Sequence, residues 1–161
     1  MFIDTLIDKI KEKNNPSVVG LDPKIEYVPS FIKEEMFNKY GRNLKGVSEA
    51  ILTFNKYIID AVYDIVPAIK PQLAYYEMYG LEGMRVFAET CKYAKQKGLL
   101  VIADGKRNDI GSTAEAYSAA YLGKTLIDEG ISEPVFDVDA LTVNPFLGID
   151  GIKPFITDCI N

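Results

Sequence analysis

The sequence predicts an α/β protein of parallel strands and crossover helices, laid out as part of a (β/α) barrel. Three observations lead there. Short apolar runs alternate with longer segments of helical periodicity. Those longer segments can cross over, so parallel, right-handed connections follow. The apolar runs also end in polar or charged groups: Asp22, Lys70, Asp104 and, after the fourth, Asn144. A barrel carries its chemistry at the carboxyl ends of its strands. A doubly wound sheet would show the same alternation, but its phosphate signatures, GxGxxG and GxxxxGK[ST], are absent from the chain.

The elements follow in order. Phe2, Ile3, Leu6, Ile7 and Ile10 recur at helical spacing, and Asn14-Asn15-Pro16 breaks that first, amphipathic helix. Ser17 to Asp22 reads as a short buried strand, and Pro23 and Pro29 frame a loop. Ser30 is placed to cap a short helix through about Tyr40, which Gly41 ends. A long helix then carries Val47, Ile51, Phe54, Ile58, Val62 and Ile65 on one face. Pro67 to Pro71 is the second strand. From about Gly80 to Lys97, Met84, Val86, Phe87, Cys91 and Ala94 form the apolar stripe of another helix, stopped by Gly98. Leu99 to Ala103 is the third strand, closed by Asp104. Ser112-Thr-Ala-Glu115 has the form of a capping box opening a further helix. Gly130 and Pro134 mark a loop, Asp139 to Asn144 is the fourth strand, and a last helix begins near Gly151 or Ile152.

With 161 residues, 48% of them hydrophobic, the chain can build one domain with a core. A complete (β/α)8 TIM barrel takes about 250 residues. The expectation is therefore the N-terminal half of such a barrel, about four βα units. Residues 1–161 would form the N-terminal part of a single, truncated barrel domain. A smaller open sheet is the other reading.

Composition narrows the chemistry. A net charge of −5 argues against a broad nucleic-acid footprint, though a small basic patch could hold one phosphorylated metabolite. There is no histidine, which removes the Ser-His-Asp triad and His-ligated zinc. Acid–base work falls to Asp, Glu, Lys or Tyr. Cys91 and Cys159 form no CxxC and no disulfide framework, so a reducing cytosol is the default. The N-terminus lacks the apolar block of a signal peptide, and no segment is long and apolar enough to span a membrane.

The densest chemistry lies in Val101-Ile-Ala-Asp104-Gly-Lys106-Arg-Asn-Asp109. Side chains two apart on a strand share a face, so Asp104 and Lys106 should point the same way. Lys70, ending an apolar strand, needs a partner or water. Other positions have plain readings too. Asp109 reads as a solvated loop acid or a helix N-terminal charge. Asp22 before Pro23 reads as the start of a turn. Thr113 is the first turn of a helix, and Tyr75, Tyr76 and Tyr79 are packing or rim residues.

Four stretches together carry a resemblance: Val19-Gly-Leu-Asp22-Pro, Ile69-Lys70-Pro-Gln, Ala103-Asp104-Gly-Lys106-Arg-Asn-Asp109-Ile110-Gly-Ser-Thr113 and Leu141-Thr-Val-Asn144-Pro-Phe-Leu-Gly. In this order the chain resembles the orotidine 5′-phosphate decarboxylase family, in particular its longer bacterial form. The resemblance implies decarboxylation of orotidine 5′-phosphate to uridine 5′-phosphate and carbon dioxide, the last step of UMP synthesis. It implies that Asp104 sits against the substrate carboxylate and that Lys106 gives the proton to the pyrimidine C6 carbon. It implies that Lys70 pairs with Asp104 and touches the ribose. Asp109 would complete a Lys-Asp-Lys-Asp array from the neighbouring subunit, with Ile110 and Thr113 beside it. Asp22 would bind a ribose hydroxyl, and Asn144 joins the substrate-binding group. The resemblance further implies a cytoplasmic homodimer with shared active sites, a small nucleotide substrate, no nucleic-acid or membrane partner, and neither metal nor organic cofactor.

The family's phosphate grip comes mostly from later strands and loops, so the 161 residues alone are expected to be inactive or nearly so. Arg107 receives no role. Two alternatives stand beside this reading. One is a magnesium-dependent sugar-phosphate decarboxylase or aldolase of the same barrel superfamily. The other is an inactive half-barrel that acts as an assembly module.

Overall fold

A computed structural model describes residues 2–160. Its frame is a four-stranded, all-parallel sheet of β1 (Val18–Leu21), β2 (Ala68–Pro71), β3 (Leu100–Arg107) and β6 (Ala140–Val143), in that spatial order. Strands that are neighbours in the sheet follow the chain order of the expected βα units. Helices α1 (Phe2–Lys13), α2 (Ser30–Tyr40), α3 (Leu44–Val62), α4 (Ala74–Glu77), α5 (Gly80–Gln96), α6 (Gly111–Tyr121) and α7 (Lys153–Ile160) precede, connect and follow them. A small hairpin, β4 (Thr125–Asp128) and β5 (Ile131–Glu133), lies between α6 and β6.

The α5 stripe of Val86, Phe87, Cys91 and Ala94 is buried in one cluster with Ile69, Val101 and Ala103 of the sheet, as the periodicity placed it. On α3 the buried face is rotated from the expected one: Ile51 and Ile59 are buried, while Val47, Phe54, Ile58 and Val62 pack partly buried at its flank. Phe87 is the aromatic centre of the cluster, edge-on to Tyr76 at 5.4 Å and to Phe136 at 5.3 Å. Three buried polar groups link the helices. Asn55 of α3 donates to the Tyr76 hydroxyl at 3.0 Å and to Thr90 Oγ1 of α5 at 3.1 Å. Burial pushes the Tyr76 phenol upward, so it stays neutral there. Cys91 is likewise an inert core thiol, pushed up to about 12 by burial and the nearby Asp139. No helix among the described residues is long and apolar enough to cross a membrane.

The local expectations fail at four further places. Ser30 does not cap α2: the helix starts at Ser30, and the Pro29 carbonyl accepts from Ile32 and Lys33. Ser112 does not open a capping box: α6 starts at Gly111, and the Ile110 carbonyl accepts from Thr113 and Ala114. Each helix thus begins at or before the proposed cap, and no side chain caps either one. Ile65 lies beyond the end of α3 and is exposed. The loop at Gly130 is instead the turn of the β4–β5 hairpin, with Gly130 at φ +75°. Leu126, Ile127 and Ile131 around a two-residue turn are the hairpin signal. The short helix α4 was not anticipated.

Candidate active site

Parallel pairing builds the site by bringing residues far apart in sequence to one end of the sheet. Gln72 bridges to Asp104 in parallel register just past the ends of the β2–β3 ladder, and Leu73 N donates to the Asp104 carbonyl at 3.2 Å. Lys70 and Asp104, 34 residues apart, therefore meet: Lys70 Nζ lies 2.8 Å from Asp104 Oδ2. From β3 itself, Lys106 Nζ lies 2.7 Å from Oδ1. Two further donors complete the set. Gln72 Nε2 reaches Oδ2 at 2.9 Å, and Thr142 Oγ1 of β6 reaches Oδ1 at 2.7 Å.

Asp104 is only 6% exposed, yet each carboxylate oxygen accepts two hydrogen bonds, which matches the acceptor capacity of an ionised carboxylate. Burial by itself would push its pKa up. The hydrogen bonds from Lys106, Lys70 and Thr142, with the charge of Lys70, outweigh burial and hold Asp104 well below the usual carboxylate range. The result is a fixed anion between two ammonium groups. The Lys106 side chain remains 65% exposed, so a ligand can approach that ammonium from the open side.

The backbone at Lys106 is unusual. Its φ is +48°, left-handed for a residue with a Cβ. The cause lies in the β3–β6 register: Ala103 faces Leu141 and Arg107 faces Val143, so three residues of β3 oppose Thr142 alone. A bulge of this kind re-aims side chains. Here it aims Lys106 back onto Asp104 while Arg107 leaves the cluster. Arg107 pairs with Glu77, donates to the Tyr121 hydroxyl at 3.2 Å, and lies over the ring faces of Tyr117 and Tyr121. It ties β3 to α4 and α6.

Lys70, Asp104 and Lys106 thus come together as the sequence led us to expect. The remaining candidates do not join them within one chain. Asp109 sits in the β3–α6 connection, half-buried, and its Oδ1 accepts from Ile110 N at 2.8 Å. Ile110 and Thr113 are exposed at the start of α6. Asp22 follows β1, exposed, beside the point where Gln72 N donates to the Leu21 carbonyl at 3.1 Å. Asn144 follows β6 and spends its Oδ1 on the Phe146 amide at 3.0 Å. Sequence reasoning missed Gln72 and Thr142. A signal for both was present: Gln72 is two beyond Lys70 and Thr142 two before Asn144, hence on shared strand faces. Among the described residues, no three His, Cys, Asp or Glu side chains converge as a metal site.

Comparison with known proteins agrees along nearly the whole chain. Residues 18–159 match the family model described as orotidine 5′-phosphate decarboxylase / HUMPS family. The chain is 44% identical over 158 residues to the orotidine 5′-phosphate decarboxylase of Caldicellulosiruptor saccharolyticus, covering 98% of this chain and 52% of that protein. It is 40% identical over 156 residues to that of Clostridium acetobutylicum, covering 97% of this chain and 48% of the relative. Among solved structures, Leishmania donovani OMP decarboxylase superposes with a TM-score of 0.67 at 25% identity, over 97% of this chain and 49% of that one. Leishmania donovani UMP synthase gives 0.69 at 25% identity, over 97% and 27% respectively. The chain spans about half the length of the curated relatives it matches. Its four-stranded parallel sheet corresponds to half of the TIM barrel of those neighbours. A parallel half-barrel, a buried carboxylate between two lysines at its strand ends and a family match from residue 18 to residue 159 agree: the chain belongs to the orotidine 5′-phosphate decarboxylase / HUMPS family.

Proposed function

We propose that this chain is the N-terminal part of a single barrel domain that decarboxylates orotidine 5′-phosphate, and that it supplies the charged half of the active site. The observation that carries the proposal is the Asp104 carboxylate held at 2.8 Å from Lys70 and 2.7 Å from Lys106. Loss of carbon dioxide breaks the bond between C6 and the carboxylate carbon and leaves an electron pair on a ring carbon that delocalises it poorly. Preorganised charge favours that transition state over the ground state. Asp104 faces the substrate carboxylate, and its unfavourable interaction with that group disappears when neutral carbon dioxide forms. Lys106 then gives a proton from its ammonium to C6 and becomes an amine. Lys70 keeps Asp104 in place and touches the ribose, Asp22 binds a ribose hydroxyl, and Asn144 borders the substrate. In a cytoplasmic homodimer, Asp109 extends the array into the neighbouring subunit's site, with Ile110 and Thr113 beside it. The exposed position of Ile110 and Thr113 supports that arrangement.

The test follows orotidine monophosphate by absorbance. This chain, fused to the C-terminal half of the Caldicellulosiruptor saccharolyticus relative, is expected to turn over substrate, and K106A in that fusion to lose at least about 100-fold, the low end for a positioned proton donor. The 161 residues alone are expected to stay near background. Unaltered turnover in K106A rules out the proton-donor role.

A further inference from the structure

The β3–β6 bulge leaves Lys106 N–H without a place in the regular ladder, because Thr142 is the one residue that faces Asp104, Gly105 and Lys106. The Thr142 side chain stands in for the missing backbone partner. Its Oγ1 accepts from Lys106 N at 3.0 Å and donates to Asp104 Oδ1 at 2.7 Å. A hydroxyl has one proton, and a main-chain amide can only donate. The direction of the relay is therefore fixed: amide to hydroxyl, hydroxyl to carboxylate. Lys106 is thereby tied at both ends to the same carboxylate, through its own Nζ at 2.7 Å and through its amide by way of Thr142.

We propose that Thr142 is a positioning residue of the charge array, holding Lys106 in its left-handed turn and keeping Asp104 an oriented acceptor. Neither valine nor alanine can do this, because each lacks the relay atom, whereas serine retains it. The left-handed turn is strained for a residue with a Cβ and persists only where its surroundings over-determine it. Beyond the bulge the ladder is ordinary: Asn144 N donates to the Arg107 carbonyl at 2.9 Å. Thr142 thus acts on the bulge alone, between two regions of regular pairing. Calling the array catalytic rests on the decarboxylase reading; the relay itself does not.

Backbone amide hydrogen exchange, followed by NMR in this chain, reads the relay directly. T142V has nearly the volume of threonine and lacks only the hydroxyl. It is expected to speed exchange at the Lys106 amide about tenfold, the loss of one hydrogen bond. The Asn144 and Leu100 amides, which donate to backbone carbonyls at 2.9 and 3.0 Å, should keep their rates. T142S should restore the Lys106 rate. Unchanged Lys106 exchange in T142V, equal acceleration at all three amides, or a T142S variant that behaves like T142V each overturns the proposal. In the fused enzyme described above, T142V should lower kcat more than it raises KM, and T142S should recover kcat. An active fusion with unchanged kcat in T142V overturns the positioning role. A fusion without turnover overturns the decarboxylase reading instead, while the exchange result still decides the relay.

Discussion

The β3–β6 seam and the β4–β5 hairpin are neighbours in sequence and opposites in construction. At the seam, every donor aimed at Asp104 comes from a different residue, from β2, β3, β6 or just past a strand end, and the strands beneath pack Val101 and Ala103 into the core. In the hairpin, Leu126, Ile127 and Ile131 stand exposed, and among the described residues the two strands pair only with each other. A short two-stranded hairpin is marginal in water unless it packs on something. The contrast teaches where specificity lies in this chain. The seam is over-determined by long-range pairing, and the hairpin rests on its turn.

Substitutions in the two regions should separate accordingly. The largest expected effect lies beneath the seam. Phe87→Ala empties the aromatic centre against Tyr76 and Phe136, and should cost about 3–5 kcal/mol in urea unfolding. Next comes the array itself. Asp104→Asn turns one acceptor into a donor that faces donors, and should cost about 1–3 kcal/mol at neutral pH.

That second loss depends on pH. Against burial, which raises it, the hydrogen bonds from Lys106, Lys70 and Thr142 and the charge of Lys70 depress the folded-state pKa of Asp104 below its unfolded value of about 3.9. Its contribution is fully present above that value and is lost as pH falls toward the lower folded one. Acid titration of wild-type stability should therefore converge on D104N, whereas a gap that stays constant down to acid would detach the array from the effect. The smallest effect belongs to the hairpin: Leu126→Ser and Ile127→Ser should each stay within about 0.5 kcal/mol of wild type. A larger loss there would mean that the hairpin face is covered.

Much of this was legible from the chain because it is local. Lys70 and Asp104 each close an apolar run, and Lys106 is two beyond Asp104, so the spacing marked all three as strand-end charges, while the bulge and the β2–β3 pairing brought them together. The stripe of Val86, Phe87, Cys91 and Ala94 reads as a helix face and is buried as one. The misreadings at Ser30 and Ser112 have a common origin. Both residues are cap formers by type, but in each case the helix had already begun, with the Pro29 and Ile110 carbonyls accepting its first bonds. Gln72 and Thr142 escaped notice because neither is charged, and an uncharged polar residue on a strand face does not by itself demand a partner as Lys70 does.

Composition and periodicity alone determined the alternation of strands and helices, the charges at the strand ends and the absence of histidine chemistry, since each is a property of residue type or of spacing within one element. Tertiary structure alone decided that β6 pairs with β3 out of step, that Lys106 turns left-handed there, and that Thr142 closes the circuit to Asp104. Register between strands is set by how two whole faces pack, and no single segment carries that information.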